Sequence, residues 1–266
     1  MIVPWTFARC SLRIPLVVLF ATSALLIGDG QLAGEEKMLQ QVVELCRTKD
    51  TFAAIAHVEA HGEPRDVAKV YAQLVIDLYG QQKDVPNMLR LGGAGVHYCL
   101  TEAERAADAD AAGELRGMAK MMSFNLSANC WPGWEDEGIT LTAGQIAQGH
   151  DFAKVNLRLA NELGRSADKV ASAWWLLGAH QLAAKDNAQA IASFDKAASL
   201  STEARQEDGR LMAEGYRGIA MQASAETEAE GTKELTTAIA ALRNLNTDDA
   251  TFYADQLESV AKFFAK

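Results

Sequence analysis

The stretch from Ala171 to Thr202 constrains the fold most, because it reads as two helices that cannot cover their own apolar surface. The run ASAWWLLGAHQLAAKDNAQAIASFDKAASLST breaks at Lys185-Asp186-Asn187, where Asp186 or Asn187 suits the N-cap of a second helix. Val170, Trp174, Leu177 and Leu182 form one stripe of the first helix, and Trp175, Ala179 and Leu182 form another. Two stripes imply burial on two sides. The second helix gathers Ala190, Phe194, Ala197 and Leu200 on one face. Such a pair needs neighbouring pairs stacked on it.

Trp174, Leu177, Gly178, Ala190, Phe194 and Ala197 fall at the spacing W-x2-L-G-x2-Y…A-x3-F-x2-A. On these residues the segment 171–204 resembles a tetratricopeptide repeat. Gly178 and Ala190 are small enough for the two helices to approach closely where they cross. Gln181 stands where the pattern has Tyr, and Thr202 where it has Pro. The resemblance implies an all-α fold of stacked helical hairpins, a right-handed α-solenoid. It also implies a non-enzymatic module that binds a peptide or protein along a groove lined by first helices.

The rest of the chain fits this expectation. The second-helix stripe recurs as Ala153, Leu157, Ala160 and Leu163, and again as Ala238, Leu242 and Leu245, with Gly218 preceding it. Tyr71, Leu74, Leu91 and Ala94 echo it earlier, and residues 223–231 read as an inserted acidic loop. Helical patterns extend over 35–49, 51–59, 67–82, 84–98, 101–128, 142–163, 207–223, 233–245 and 249 to the end. A compact irregular helical bundle is the alternative arrangement.

Arg9 and Arg13 precede an apolar run from Leu16 to Ile27, followed by Gly28-Asp29-Gly30. Residues 1–30 therefore read as a secretory signal peptide, cleaved after Gly30 or near Ala33 or Gly34. The other reading is an uncleaved anchor, although the run is short of the roughly 20 residues a span needs. Residues 31–266 then form one exported helical domain, periplasmic or extracellular. Of the 25 basic and 35 acidic residues, losing Arg9, Arg13 and Asp29 leaves 23 and 34, a net charge of −11. That disfavours nucleic acid and anionic membranes as partners. Pro64, Pro86 and Pro132 are the prolines that remain, and abundant alanine favours helix throughout.

Three cysteines follow the signal, Cys46, Cys99 and Cys130, in a compartment that permits disulfides. Cys99 with Cys130 is the preferred pair, since both flank one long expected helix. The alternative is three buried thiols acting as small apolar residues.

Few residues carry a chemical signature. His57 and His61 share a helix face, but Glu59 is misplaced for a zincin motif and no third ligand is evident, so no metal is expected. Asp108-Ala-Asp110-Ala-Ala-Gly113-Glu114 lacks ligating oxygens at Ala112 and Ala119 and reads as a solvated helix face, not a calcium loop. Leu91-Gly-Gly-Ala-Gly95 lacks the spacing of a nucleotide-binding turn; its glycines suit close helix packing. No cofactor and no catalytic residue is expected. The unusual stretch is Trp131-Pro-Gly-Trp134-Glu135-Asp136-Glu137, with two aromatic faces beside three carboxylates. It suits a cationic or amphipathic ligand or a peptide anchor. Alternatively it is a structured connector whose tryptophans cap the core between two halves of the array. A small-ligand binder or enzyme using this stretch, or a structural envelope component, is the competing function.

Overall fold

The computed structural model describes residues 29–265, with side-chain surroundings from residue 37 onward. The expected signal peptide lies outside the described residues except at its last two positions. Eleven α-helices follow one another: α1 (Asp29–Thr48), α2 (Thr51–Glu59), α3 (Pro64–Gly80), α4 (Val85–Arg105), α5 (Ala109–Asn129), α6 (Ala143–Glu162), α7 (Ala167–Ala183), α8 (Asn187–Glu203), α9 (Glu207–Met221), α10 (Glu228–Leu245) and α11 (Asp248–Phe264). Among the described residues there is no strand, and the chain is all-α. Each helix packs against its neighbours in sequence.

Local chemistry sets the breaks. The side chains of Asp50, Asp84, Asp186 and Thr247 accept backbone N–H groups in the first turns of α2, α4, α8 and α11. Thr142 and Gln145 form a reciprocal capping box at the start of α6. The helix expected over 101–128 is in fact divided. Asp108 accepts from the N–H groups of Asp110 and Ala111 and starts α5 afresh, so the resemblance to a calcium loop is a helix cap. Three successive helices, α6, α7 and α8, end alike. Gly164, Lys185 and Arg205 adopt left-handed φ of 55°, 61° and 59°. The next N–H in each case reaches back to the carbonyls of Ala160, Gln181 and Ser201. These are Schellman endings.

The repeat-like residues pack as their spacing suggests. Ala190, Phe194 and Ala197 are fully buried, and Leu177 nearly so. A Cβ on Gly178 would lie 2.7 Å from the Phe194 ring, so glycine is what admits that ring between α7 and α8. Trp174 is half-buried, whereas Trp175 is deep in the core. Ala238 and Leu242 are buried, but Leu245 is at the surface, because α10 ends there.

Two apolar cores meet at α5. Ala119, Met122, Leu126 and Cys130 face a core built mainly from α1 to α4, while Phe124, Ala128 and Trp131 face one built from α6 to α11. Between these faces the same helix buries Ser123 and Ser127.

Candidate functional site

The tryptophan stretch is the joint between the two cores. Cys130 caps α5, Pro132–Trp134 forms a short 3-10 turn, and Glu135 is left-handed with φ of 48°. Trp131 is 1% exposed, and its indole N–H donates to the Ala179 carbonyl of α7 at 2.7 Å. Its ring meets Trp134 edge-on at 4.6 Å and lies about 6 Å from Tyr216 and Phe264. It also lies directly over Gly133, where no Cβ would fit. Trp134 donates to the Ala128 carbonyl at 2.8 Å. Asp136 accepts the Tyr79 hydroxyl of α3, and burial, reinforced by that carboxylate, pushes the phenol's pKa up. Glu135 and Glu137 remain exposed. Of the two readings of this stretch, the burial of Trp131 agrees with a connector that caps the core and not with a ligand-facing ring: α7, α9 and α11 enclose it, and Asp136 ties the loop to α3.

The expected Cys99–Cys130 bond is also corrected. Both are free, buried thiols, and burial pushes each pKa up to about 12. Gly92 faces Leu126 and Gly95 faces Met122, so α4 and α5 run antiparallel. Asn129 reaches Met88 at the far end. Cys99 is eleven residues beyond Met88, which at 1.5 Å per residue is about 16 Å, far outside disulfide reach.

Beside the joint lies a buried polar seam. His180 is 1% exposed and its Nε2–H donates to the Ser127 carbonyl at 3.0 Å, which leaves Nδ1 as a buried acceptor with no partner. Its ring stacks on His150 at 5.9 Å. Burial pushes the pKa of His180 down to about 4, with the Ser127 bond opposing and His150 adding to the shift. This histidine is a neutral structural donor.

The remaining motifs are accounted for structurally. His61 is exposed at the end of α2, and among the described residues no group of three or more His, Cys, Asp or Glu is placed to hold a metal. The glycines of Leu91–Gly95 sit within α4, where Gly92 and Gly95 press against Leu126, Val75, Tyr71 and Met122. No described helix is long and apolar enough to cross a membrane.

Besides an open concavity of about 650 Å³ along α10, the described residues form two that can receive a ligand. One, of about 920 Å³, lies between the start of α3 and the α4–α5 turn. Its charges are largely spent on one another: Arg65 pairs with Glu114, Lys69 with Asp66 and Arg105 with Glu102, while Asp108 caps α5. The other, of about 380 Å³, lies where α7, α9 and α11 begin. Asp168, Asp208 and Asp249 stand in the first turns of these helices, with Lys169 beside Asp168 at 3.3 Å. Ala171, Ala197, Ala213, Met212 and Trp175 supply apolar wall. Trp175 is 3% exposed and its indole N–H has no acceptor. Burial pushes the pKa of Tyr253 up to about 12, and Asp208 and Asp249 add to it.

The spacing of this cavity's carboxylates was legible but went unread: an aspartate recurs about every 40 residues, each opening an alternate helix. First-turn acids are common for dipole reasons alone, which masks the pattern. Comparison with protein-family models finds no match to this chain, and neither does comparison with curated proteins.

Proposed function

We propose that this protein is an exported, non-enzymatic interaction module, a tetratricopeptide-like stack of helical hairpins. It binds a segment of another polypeptide in the cavity where α7, α9 and α11 begin. The observation that carries this reading is a cavity of about 380 Å³ walled by the starts of three alternate helices, α7, α9 and α11. Alternate helices are the ones whose starts lie at the same end of a stack of hairpins, so they share one face. Asp168 is held below the usual carboxylate range, burial being outweighed by bonds from Ser166 and Lys169, and burial pushes the Tyr253 phenol up to about 12.

The test uses protein purified from the host envelope after expression of the full chain. Ser172→Trp fills the cavity, and Ala192→Trp, exposed on α8 and away from the cavity wall, serves as control. Affinity capture from envelope extract should retain its partner with wild type and Ala192→Trp and lose it with Ser172→Trp. Equal capture by all three would remove the cavity from the reading.

A further inference from the structure

We infer that residues 135–150, the loop after Trp134 and the first two turns of α6, are a strap that lifts off the joint between the two cores when His180 takes up a proton. The strap is separate from the α7–α9–α11 cavity and does not depend on it.

The strap is thinly held. Trp131 and Gly133 before it are buried, and Ala153, Leu157 and Ala160 after it anchor the rest of α6 in the second core. Between Gly133 and Ala153 the one buried residue is Gly149. Ile139 and Leu141 are only partly buried against the first core, and Asp136 accepts the Tyr79 hydroxyl at the near end. Gly138 follows that attachment with φ of 79°, a backbone angle suited to glycine, and gives the chain a pivot. Segments with so few buried apolar contacts open locally at a far smaller cost than global unfolding.

The far end of the strap is its latch. A Cβ on Gly149 would lie 2.5 Å from Cys130 Cβ and 2.8 Å from His180 Cε1, so glycine is what lets α6 close down on both residues. One residue on, His150 stacks on the His180 ring with the two planes 3° apart. The closed arrangement holds His180 Nδ1, His150 Nε2 and Ser127 Oγ buried without a hydrogen-bond partner. A proton on Nδ1 of His180 is then a buried charge with no acceptor, beside a second imidazole, and lifting the strap hydrates it.

The groups around His180 favour the neutral ring. On α5, burial pushes the Cys130 thiol up to about 12, so it carries no charge. On α6, His150 opposes a positive charge on His180. His150 is itself held down by burial and then by Lys154, with Asp151 and, from the start of α8, Asp186 acting the other way. The buried titratable group of α9 is Tyr216, whose phenol burial keeps neutral. Closed, His180 titrates near 4; lifted into water it returns to about 6.5. The lifted form is therefore favoured as pH falls below 6.5, and is about twentyfold more populated at pH 5 than at pH 7.

Amide hydrogen exchange followed by nuclear magnetic resonance, corrected for the intrinsic pH dependence of exchange, tests this on the purified protein. The amides of residues 147–151 should exchange through an opening that low urea barely changes. Those of Tyr216 and Ile219 on α9 should follow the steep urea dependence of unfolding. The strap opening should grow about twentyfold from pH 7 to pH 5. His180→Gln, which keeps a donor for the Ser127 carbonyl, should flatten that growth. Gly149→Ala should prop the strap up, raising its opening at pH 7 while the pH dependence remains. In the wild type, a strap opening that is flat between pH 7 and pH 5, or that tracks α9 at every urea concentration, overturns the inference without any variant. Growth that persists in His180→Gln, or no rise in Gly149→Ala, overturns it as well.

Discussion

The two halves of the molecule solve the same packing problem with different materials. The core built mainly from α1 to α4 is largely aliphatic and sulfur-rich around two buried tyrosines, Tyr71 and Tyr79, with Met88, Cys99, Met122 of α5 and tightly pressed glycines on α4. The core of α6 to α11 is more aromatic, with Trp131, Trp175 and Phe194 each set against the Tyr216 ring. The helix ends differ too. In the second half α6, α7 and α8 close with the same left-handed turn, and the starts of α7 and α9 line one cavity. In the first half the turns vary, and the charges around the α3–α5 groove pair across it, as Arg65 does with Glu114. Regular turns align helix starts and leave their carboxylates facing a shared space; irregular turns let neighbouring charges neutralise one another.

Trp131 tests the contrast most severely, because it is covalently part of the junction after α5 but packs in the second core. Trp131→Ala should destabilise the protein by about 3–5 kcal/mol, leaving the Ala179 carbonyl without its donor. Urea unfolding followed by hydrogen exchange should show α7 to α11 losing protection before α2 to α4. Uniform loss across both halves would mean the two cores are a single cooperative unit.

The buried seam predicts an acid response in the second half. His180 has a native pKa of about 4 against about 6.5 when unfolded. Above pH 6.5 both states are neutral and nothing changes. As pH falls from 6.5 to 4 the unfolded chain takes up a proton that the native one refuses, so stability drops, by about 3 kcal/mol in total. His180→Gln keeps a donor near the Ser127 carbonyl, so the difference between its stability and that of wild type should follow this curve. A flat difference would show that His180 is reached by water in the native state.

Glycine packing sharpens the comparison at intermediate scale. Gly178→Ala should cost about 1–3 kcal/mol, because its Cβ would push against the Phe194 ring. Gly113→Ala, with no heavy atom within 4 Å of the added Cβ, should not destabilise. Thermal unfolding of the two variants separates close packing from helix propensity. The smallest effect is at the turns. Lys185→Gly and Arg205→Gly each relieve a left-handed side chain and should stabilise by about 0.5–1 kcal/mol; destabilisation would show that these side chains do more than mark the turn.

Sequence by itself determined the helices. Periodicity and caps act within a few residues, so the stripes of α7 and α8 and the breaks at Asp84, Thr142 and Asp186 were readable where they stand. The break at Asp108 was missed because the alanines around it suit a continuous helix equally well. The repeat-like contact Gly178–Phe194 and the burial of Ala190 and Ala197 were also legible, since they lie within one hairpin. Tertiary structure alone decided the rest. Trp131 could be read as a ligand platform or as a core-capping connector, because its covering groups, Ala179, Tyr216 and Phe264, come from three later helices. Cys99 and Cys130 looked like partners until the antiparallel register of α4 and α5 set them far apart. The cavity at the starts of α7, α9 and α11 exists only once these helices have packed together. Local pattern specifies which face of a helix is apolar, but what covers that face depends on residues far away along the chain.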